Sequence, residues 1–319
     1  MSNTQQEELY QKPYDDDEID LRELFSALWS GKLTIIIATV MAAVIAVSYA
    51  LFLPNIYKAE ALLSPVSSDG SGMGGLASKF GGLASLAGVS LGGGGSGDKT
   101  TLGIEVMQSR QFFAQFSQEN NVLVPLMAAK GWNSSDNTLV IDPEVFDSAT
   151  NTWVRQPNPP RQSQPSIQES HEAFKKLISV AQDKETGFVT LSVEHFSPYV
   201  AKQWVDALVQ AINITIREQD VAKAERSISY LQQQIATTQL AELQTGLFEL
   251  IQSQTETIML ANASPEYLFQ TIDPAVVPEL KAKPKRALIC VLGTMLGGML
   301  GVLIVLVRHF MNKDEGAEA

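Results

Sequence analysis

The stretch that most constrains this chain runs from Leu33 to Leu53. It reads LTIIIATVMAAVIAVSYALFL, twenty-one residues without a charge. As an α-helix it would span about 31 Å, the thickness of a bilayer's hydrocarbon core. A second uncharged stretch, ALICVLGTMLGGMLGVLIVLV, runs from Ala287 to Val307. Charge flanks both, so both are read as membrane spans rather than as buried helices of a soluble core. Between them lie 233 residues, 54–286, enough for one folded domain with extensions.

Small residues recur at every fourth position of the first span: Ala38, Ala42, Ala46 and Ala50. The second span has Gly293, Gly297 and Gly301 at the same spacing. Such stripes permit close van der Waals packing of helices in lipid, within one subunit or between subunits. The polar, acidic residues 1–32 do not resemble a signal peptide, and Ala50-Leu51-Phe52-Leu53-Pro54 is too bulky for a cleavage site, so the first span is expected to be a retained anchor. Within that tail, residues 19–32 read as a rough amphipathic helix capped by Asp20, with Trp29 and Lys32 at headgroup depth.

The middle segment reads as an α/β or α+β domain. Residues 56–63 suit a strand, and GFVTLSVEHF at 187–196 alternates Val189, Leu191 and Val193 with polar partners. Residues 70–97 hold twelve glycines among leucines and read as a flexible loop able to make apolar contacts. A helix pair broken near Ser109-Arg110, a short helix from Val122 towards Gly131, a proline-punctuated excursion at 133–166 and a helix from Ile167 to Ser179 follow. Ser197 and Pro198 open a helical reading without internal proline to about Asn262. One continuous helix of that length would measure about 98 Å and would need a return helix or neighbouring subunits to cover its stripe. Two or three shorter helices are the alternative. The spacing steps by five between Ile235 and Leu240, which suggests a coiled-coil-like arm with a change of face, and Gly246 is a candidate bend. Residues 265–271 read as a turn or short helix. Pro274, Pro278 and Pro284 then stiffen the path back to the membrane.

No catalytic constellation emerges. The histidines, His171, His195 and His309, lack metal-ligand spacing. Cys290, the sole cysteine, lies in the second span, so no intrachain disulfide and no all-cysteine metal site can form. The stretch Gly92 to Thr100 imitates a phosphate loop, but Asp98 stands where lysine is needed. A net charge of −12 argues against nucleic acid as a partner. The chain is therefore expected to be no enzyme, with no catalytic, cofactor-binding or metal-ligating residues. Charge counting leaves topology open, because Lys281, Lys283, Lys285 and Arg286 precede the second span while Arg308 and Lys313 follow it.

Five features in order carry a resemblance over nearly the whole chain: the acidic tail with IDLRELFSALWSGK, the first span, LPNIYKAEALLSP at 53–65, VTLSVEHFSPYVAKQWVDALVQAIN at 189–213, and IDPAVVPELKAKPKR before the second span. The chain resembles the bacterial chain-length determinant proteins, the polysaccharide co-polymerases that regulate O-antigen length in lipopolysaccharide. The resemblance implies a two-pass protein of the inner membrane with both termini cytoplasmic (1–32 and 308–319) and a periplasmic domain at 54–286. It implies an α/β base, a long helix rising from it at about 198–262, homo-oligomers, and an O-antigen polymerase as partner, with lipid-linked polysaccharide and the bilayer as further contacts. The proline segment and the spans are tied, in such proteins, to length control. The glycine tract at 70–97 and the prolines at 157–165 depart from the pattern. A kinase-free capsule or exopolysaccharide co-polymerase, or an export adaptor, is the alternative reading.

Overall fold

The computed structural model describes residues 21–66, 96–238 and 240–317. The acidic run at 15–18, the Asp20 cap and nearly all of the glycine-rich segment at 70–97 lie outside the described residues. Two compact units result: residues 1–53 with 285–319, and residues 54–284.

The larger unit is organised by an antiparallel sheet. Its strands are β1 (Tyr57–Pro65), β6 (Ile178–Gln182), β7 (Val189–His195) and β8 (Phe269–Asp273), in the order β6-β7-β1-β8. β1 and β7 pair in register Ala59↔Val193, Ala61↔Leu191 and Leu63↔Val189. The period-two pattern read from the sequence thus puts six apolar side chains on one buried face. Against it packs α7 (Pro198–Thr237) through Trp204, Val205, Leu208 and Ile212. Each large apolar side chain so buried contributes roughly 1.5–3 kcal/mol. Phe112, Phe113 and Phe116 of α4 (Arg110–Glu119) and Phe174 of α6 (Ile167–Leu177) complete the core. An antiparallel sheet with helices packed against it is the α+β form of the expected class.

Local chemistry explains where the helices begin. Ser109 Oγ accepts from Phe112 N–H (3.2 Å), which breaks α3 (Ser96–Met107) from α4. Ser166 caps α6 in the same way, and Ser197 caps α7 with Pro198 in the first turn.

Several expectations need correction. The helix from Val122 towards Gly131 stops early: α5 covers only Leu123–Met127, and Ala129–Asn133 form β2, paired with β3 (Thr138–Ile141). The 133–166 excursion holds this hairpin's return strand and a second hairpin, β4 (Phe146–Asp147) with β5 (Thr152–Trp153). Asn137 and Asn151 turn their hairpins with φ of 53° and 54°, a backbone region asparagine tolerates. The α6 helix ends at Leu177, since Ile178 already pairs with Val193 at the sheet edge. Residues 265–271, expected as a turn or short helix, lead instead into a strand, Phe269–Asp273, because β1 leaves an edge for it.

The long helix is also two helices. α7 is 40 residues long, and α8 spans Ala241–Ala263. α8 returns antiparallel: Leu250 and Gln254 share a cleft with Leu231 and Ser227. At the corner, the hydroxyls of Thr237 and Thr238 both bond Gln234 C=O (3.0 and 2.7 Å), and Gln244 Nε2 donates to Thr238 C=O (2.7 Å). Side chains that compete for backbone acceptors weaken a helix end, and folding back buries both stripes. Gly246 lies inside α8 without ending it.

The smaller unit holds α1 (Leu21–Ser30), α2 (Lys32–Phe52) and α9 (Arg286–Ala317). Among the described residues, two helices are long and apolar enough to cross a membrane, Lys32–Phe52 and Arg286–His309.

Candidate functional site

The residues singled out in the sequence fall into two sets, one in each unit. In the smaller unit, α2 and α9 run antiparallel with the alanine and glycine stripes facing each other. A methyl placed on Gly293 would stand 2.5 Å from the Ala46 methyl. One on Gly297 would overlap Ala42, and one on Gly301 would sit 3.0 Å from the Ile35 backbone and 3.2 Å from the Ala38 methyl. Real side-chain carbons essentially never approach as closely as at Gly293 and Gly297, and the contacts at Gly301 would be tight, so glycine is what lets the two backbones meet. Ala50 is buried at the end of the seam, where Arg286 Nε donates to its carbonyl (2.9 Å). Outside the seam, Ile36, Val40, Met41, Leu292, Met295 and Met299 are exposed apolar side chains. An apolar exterior around a small-residue seam suits helices solvated by lipid.

Sequence spacing missed two members of this seam. Gly31, between α1 and α2, stands against Val305 so closely that any side chain would collide. Gly298 faces Thr39, its added carbon 3.6 Å from Oγ1. Neither belongs to the four-residue stripes, although Gly31 extends the first one backwards, seven residues before Ala38. At the other interface expectation, Phe25 and Trp29 stack (6.2 Å) and Lys32 Nζ lies 4.9 Å over the indole.

In the larger unit, the proline segment closes the base. Ile56 N–H donates to Lys283 C=O (3.0 Å), and Ile56 C=O accepts from Ala282 and Lys283 (2.8 and 3.2 Å). Lys283 Nζ reaches Glu194 of β7 at 2.6 Å. The chain leaving the first span is thereby tied to the chain entering the second. Pro284 follows this tie and Pro278 is half-buried. Pro274 is exposed and lines a groove of about 420 Å³ with Asp206, Gln210 and Glu266.

Three further polar devices hold the base. Asn213 of α7, 3% exposed, accepts from Leu268 and Phe269 N–H (2.7 and 2.9 Å) and donates to Val209 and Phe269 C=O (3.1 and 3.0 Å). It fastens β8 to α7 with all its hydrogen-bonding capacity used. Asp220 accepts from Tyr267 Oη (2.8 Å) and Lys99 Nζ (3.2 Å), and burial together with this carboxylate pushes the Tyr267 phenol up. His195 Nδ1 accepts from Ser197 N–H (3.1 Å), so the proton is on Nε2, which donates to Pro125 C=O (3.1 Å). Burial holds this imidazole's pKa below its ordinary value. These groups serve as fasteners, each bonded to backbone or to a neighbouring side chain. Among the described residues, no three His, Cys, Asp or Glu side chains gather as a metal site would require.

Two family models match the chain. Residues 17–120 match the one described as "Chain length determinant protein" (Wzz), and residues 231–310 match the "G-rich domain on putative tyrosine kinase" (GNVR). No curated protein matches. Among solved structures, the chain is similar to a "full-length bacterial polysaccharide co-polymerase" at 15% identity and a TM-score of 0.38, over 92% of this chain and 99% of that one. It is also similar to a fragment of WzzB, a polysaccharide co-polymerase from Salmonella Typhimurium, at 10% identity and a TM-score of 0.27, over 72% of this chain and 99% of that one.

Proposed function

We propose that this chain, a member of the Wzz-type chain length determinant family by its match over residues 17–120, regulates O-antigen length as a non-catalytic homo-oligomer beside the O-antigen polymerase of the inner membrane. The family match is the observation that carries the reading. In it, both termini are cytoplasmic, residues 54–286 are periplasmic, and the chain biases when elongation of lipid-linked repeats stops. The seam of Ala38, Ala42 and Ala46 with Gly293, Gly297 and Gly301 supports a role for the spans as a rigid pair rather than two loose anchors. Pro274, Pro278 and Pro284 would transmit the state of the base to that pair. The test is deletion of the gene followed by gel display of lipopolysaccharide. Loss of the modal cluster of lengths is expected; an unchanged ladder refutes the reading.

The match of residues 231–310 to a domain described on a tyrosine kinase favours a second reading, a capsule or exopolysaccharide co-polymerase. The same deletion separates the two. In the second case the lipopolysaccharide ladder stays intact and the size of the secreted polysaccharide changes.

A further inference from the structure

Three lysines, Lys281, Lys283 and Lys285, alternate along the segment that enters the second span, on a chain of net charge −12. Exposure alternates with them: the lysines are exposed, and Ala282 and Pro284 between them are half-buried. The bridge from Ile56 to Lys283 holds the run extended, and a period of two puts the three lysines on its open side. Glu194 holds Lys283 Nζ at 2.6 Å. Among the described residues, Lys281 and Lys285 enter no ion pair. Glu279 is the only acid between Pro274 and Arg286, and it stands at the end away from the span.

Apolar side chains accompany these charges. Outside α2 and α9, Leu280 and Val276 are the most exposed large apolar side chains among the described residues, at 84% and 69%. A bare leucine beside lysines suits a headgroup layer, where the apolar group enters the acyl boundary and the ammonium groups lie among phosphates. Aromatic side chains mark the same end of the base. Tyr57, next to Ile56, meets Trp132 edge-on (5.5 Å), and Trp132 meets the exposed Tyr199 (6.2 Å). Trp132 Nε1 donates to Asn137 Oδ1 (2.9 Å). Aromatic rings with a polar tip collect at membrane interfaces. Chain length brings the bilayer within reach. Lys285 borders α9 and Leu280 lies six residues before Arg286, so the run extends at most about 22 Å from the span.

We propose that this segment is a footing on the bilayer: Lys281 and Lys285 bind the phosphates of anionic phospholipid headgroups, Leu280 dips into the acyl boundary, and Trp132 and Tyr199 lie at headgroup depth. Glu194, by holding Lys283, orients the two free lysines on either side of it. Charge complementarity selects the occupant. Cations beside a span meet phosphate at the density of a whole leaflet, and each is worth about fivefold in affinity for an anionic surface. The exposed Leu280 adds the apolar contact that a free phosphate could not use. The inference rests on the reading of residues 286–309 as a membrane span and is independent of any role in length control.

The test uses the full-length protein in detergent, titrated with phosphatidylglycerol or with the matching phosphatidylcholine, and bound lipid is counted by native mass spectrometry. The wild type is expected to retain phosphatidylglycerol in preference. Lys281→Gln with Lys285→Gln is expected to weaken that binding about thirtyfold. Lys175→Gln with Lys176→Gln removes the same charge from exposed sites on α6 and is expected to change nothing. Circular dichroism melts report whether each variant is folded. As a second measurement, Leu280→Cys in a Cys290→Ser background carries a nitroxide in nanodiscs. The label is expected to be more open to oxygen, and less to a water-soluble nickel complex, with phosphatidylglycerol present than with phosphatidylcholine alone. Equal retention of the two lipids overturns the proposal, as does a folded double variant that binds like the wild type. A label equally open to nickel in both bilayers overturns it too. Displacement of the lipid by inorganic phosphate assigns the lysines to a free phosphoryl group, and displacement by far less polyprenyl diphosphate assigns them to a glycolipid carrier; either overturns the footing. Extraction of the protein from membranes by alkaline carbonate overturns the span reading and the footing together.

Discussion

Asn213 shows how one residue couples two elements of the base. Its amide is almost wholly buried and bonds three backbone groups at the start of β8, Leu268 N–H and the N–H and C=O of Phe269. Asn213→Ala leaves two N–H groups and a carbonyl without partners. Unsatisfied buried groups cost about 1–3 kcal/mol each, and partial relaxation lowers the sum, so a loss of about 2–4 kcal/mol is expected in denaturant unfolding. His195 adds a pH dependence. Its folded pKa lies below the ordinary value of 6.5, chiefly through burial. The stability it confers is fully present above about pH 6.5, where the unfolded chain is neutral too, and declines as pH falls, because the unfolded state then takes up a proton the folded state refuses. Melting temperatures between pH 7.5 and 5.5 should fall in the wild type. They should fall less steeply in His195→Asn, whose carbonyl can replace Nδ1 as acceptor for Ser197 and which does not titrate. Equal slopes would remove His195 from the account.

At the scale of elements, the two helix pairs follow opposite rules. In α2 and α9 the contact side is small and the exposed side is bulky and apolar, as lipid solvation requires. In α7 and α8 the contact side is apolar and most of the remainder polar, as water requires. Thr39→Cys with Gly298→Cys, in a Cys290→Ser background, tests the first pair. A membrane-soluble oxidant should link the two within one chain and leave the monomer mass unchanged. Dimers instead would mean that the seam joins different copies. Substituting leucine at Gly293, Gly297 and Gly301 forces the helices apart, and a shifted distribution of polysaccharide lengths is expected on gels. A normal distribution with the protein present at wild-type abundance would detach the seam from length control.

At the scale of the molecule, residues 54–284 form one base-and-arm unit, and the membrane helices form another. The base is knit by long-range contacts: a sheet that brings residues 57–65 beside 189–195 and 269–273, and the Ile56–Lys283 tie at its foot. Removing the side-chain contact beside that tie is expected to act on length control without touching the core. Replacing Lys283 with alanine removes its 2.6 Å ion pair to Glu194, an exposed pair worth roughly 0–1 kcal/mol. Its melting temperature should therefore stay close to wild type, and any change in chain-length distribution would be read as transmission through the proline segment.

The sequence by itself determined whatever follows from periodicity and local chemistry. Uncharged runs gave the two spans, alternation gave β1 and β7, and Ser109, Ser197 and Pro198 marked helix starts because capping is local. The stripes Ala38–Ala50 and Gly293–Gly301 were legible for the same reason. The tertiary structure alone decided what depends on a partner distant in the chain. Phe269–Asp273 is a strand because β1 offers an edge, and Ile178–Gln182 because β7 does. The helical run to Asn262 folds at Thr238 because its two stripes bury each other, and the five-residue step between Ile235 and Leu240 was the trace of that corner. Asn213 carried no signal in the sequence: a single polar residue on an apolar face acquires meaning only from the backbone that comes to meet it.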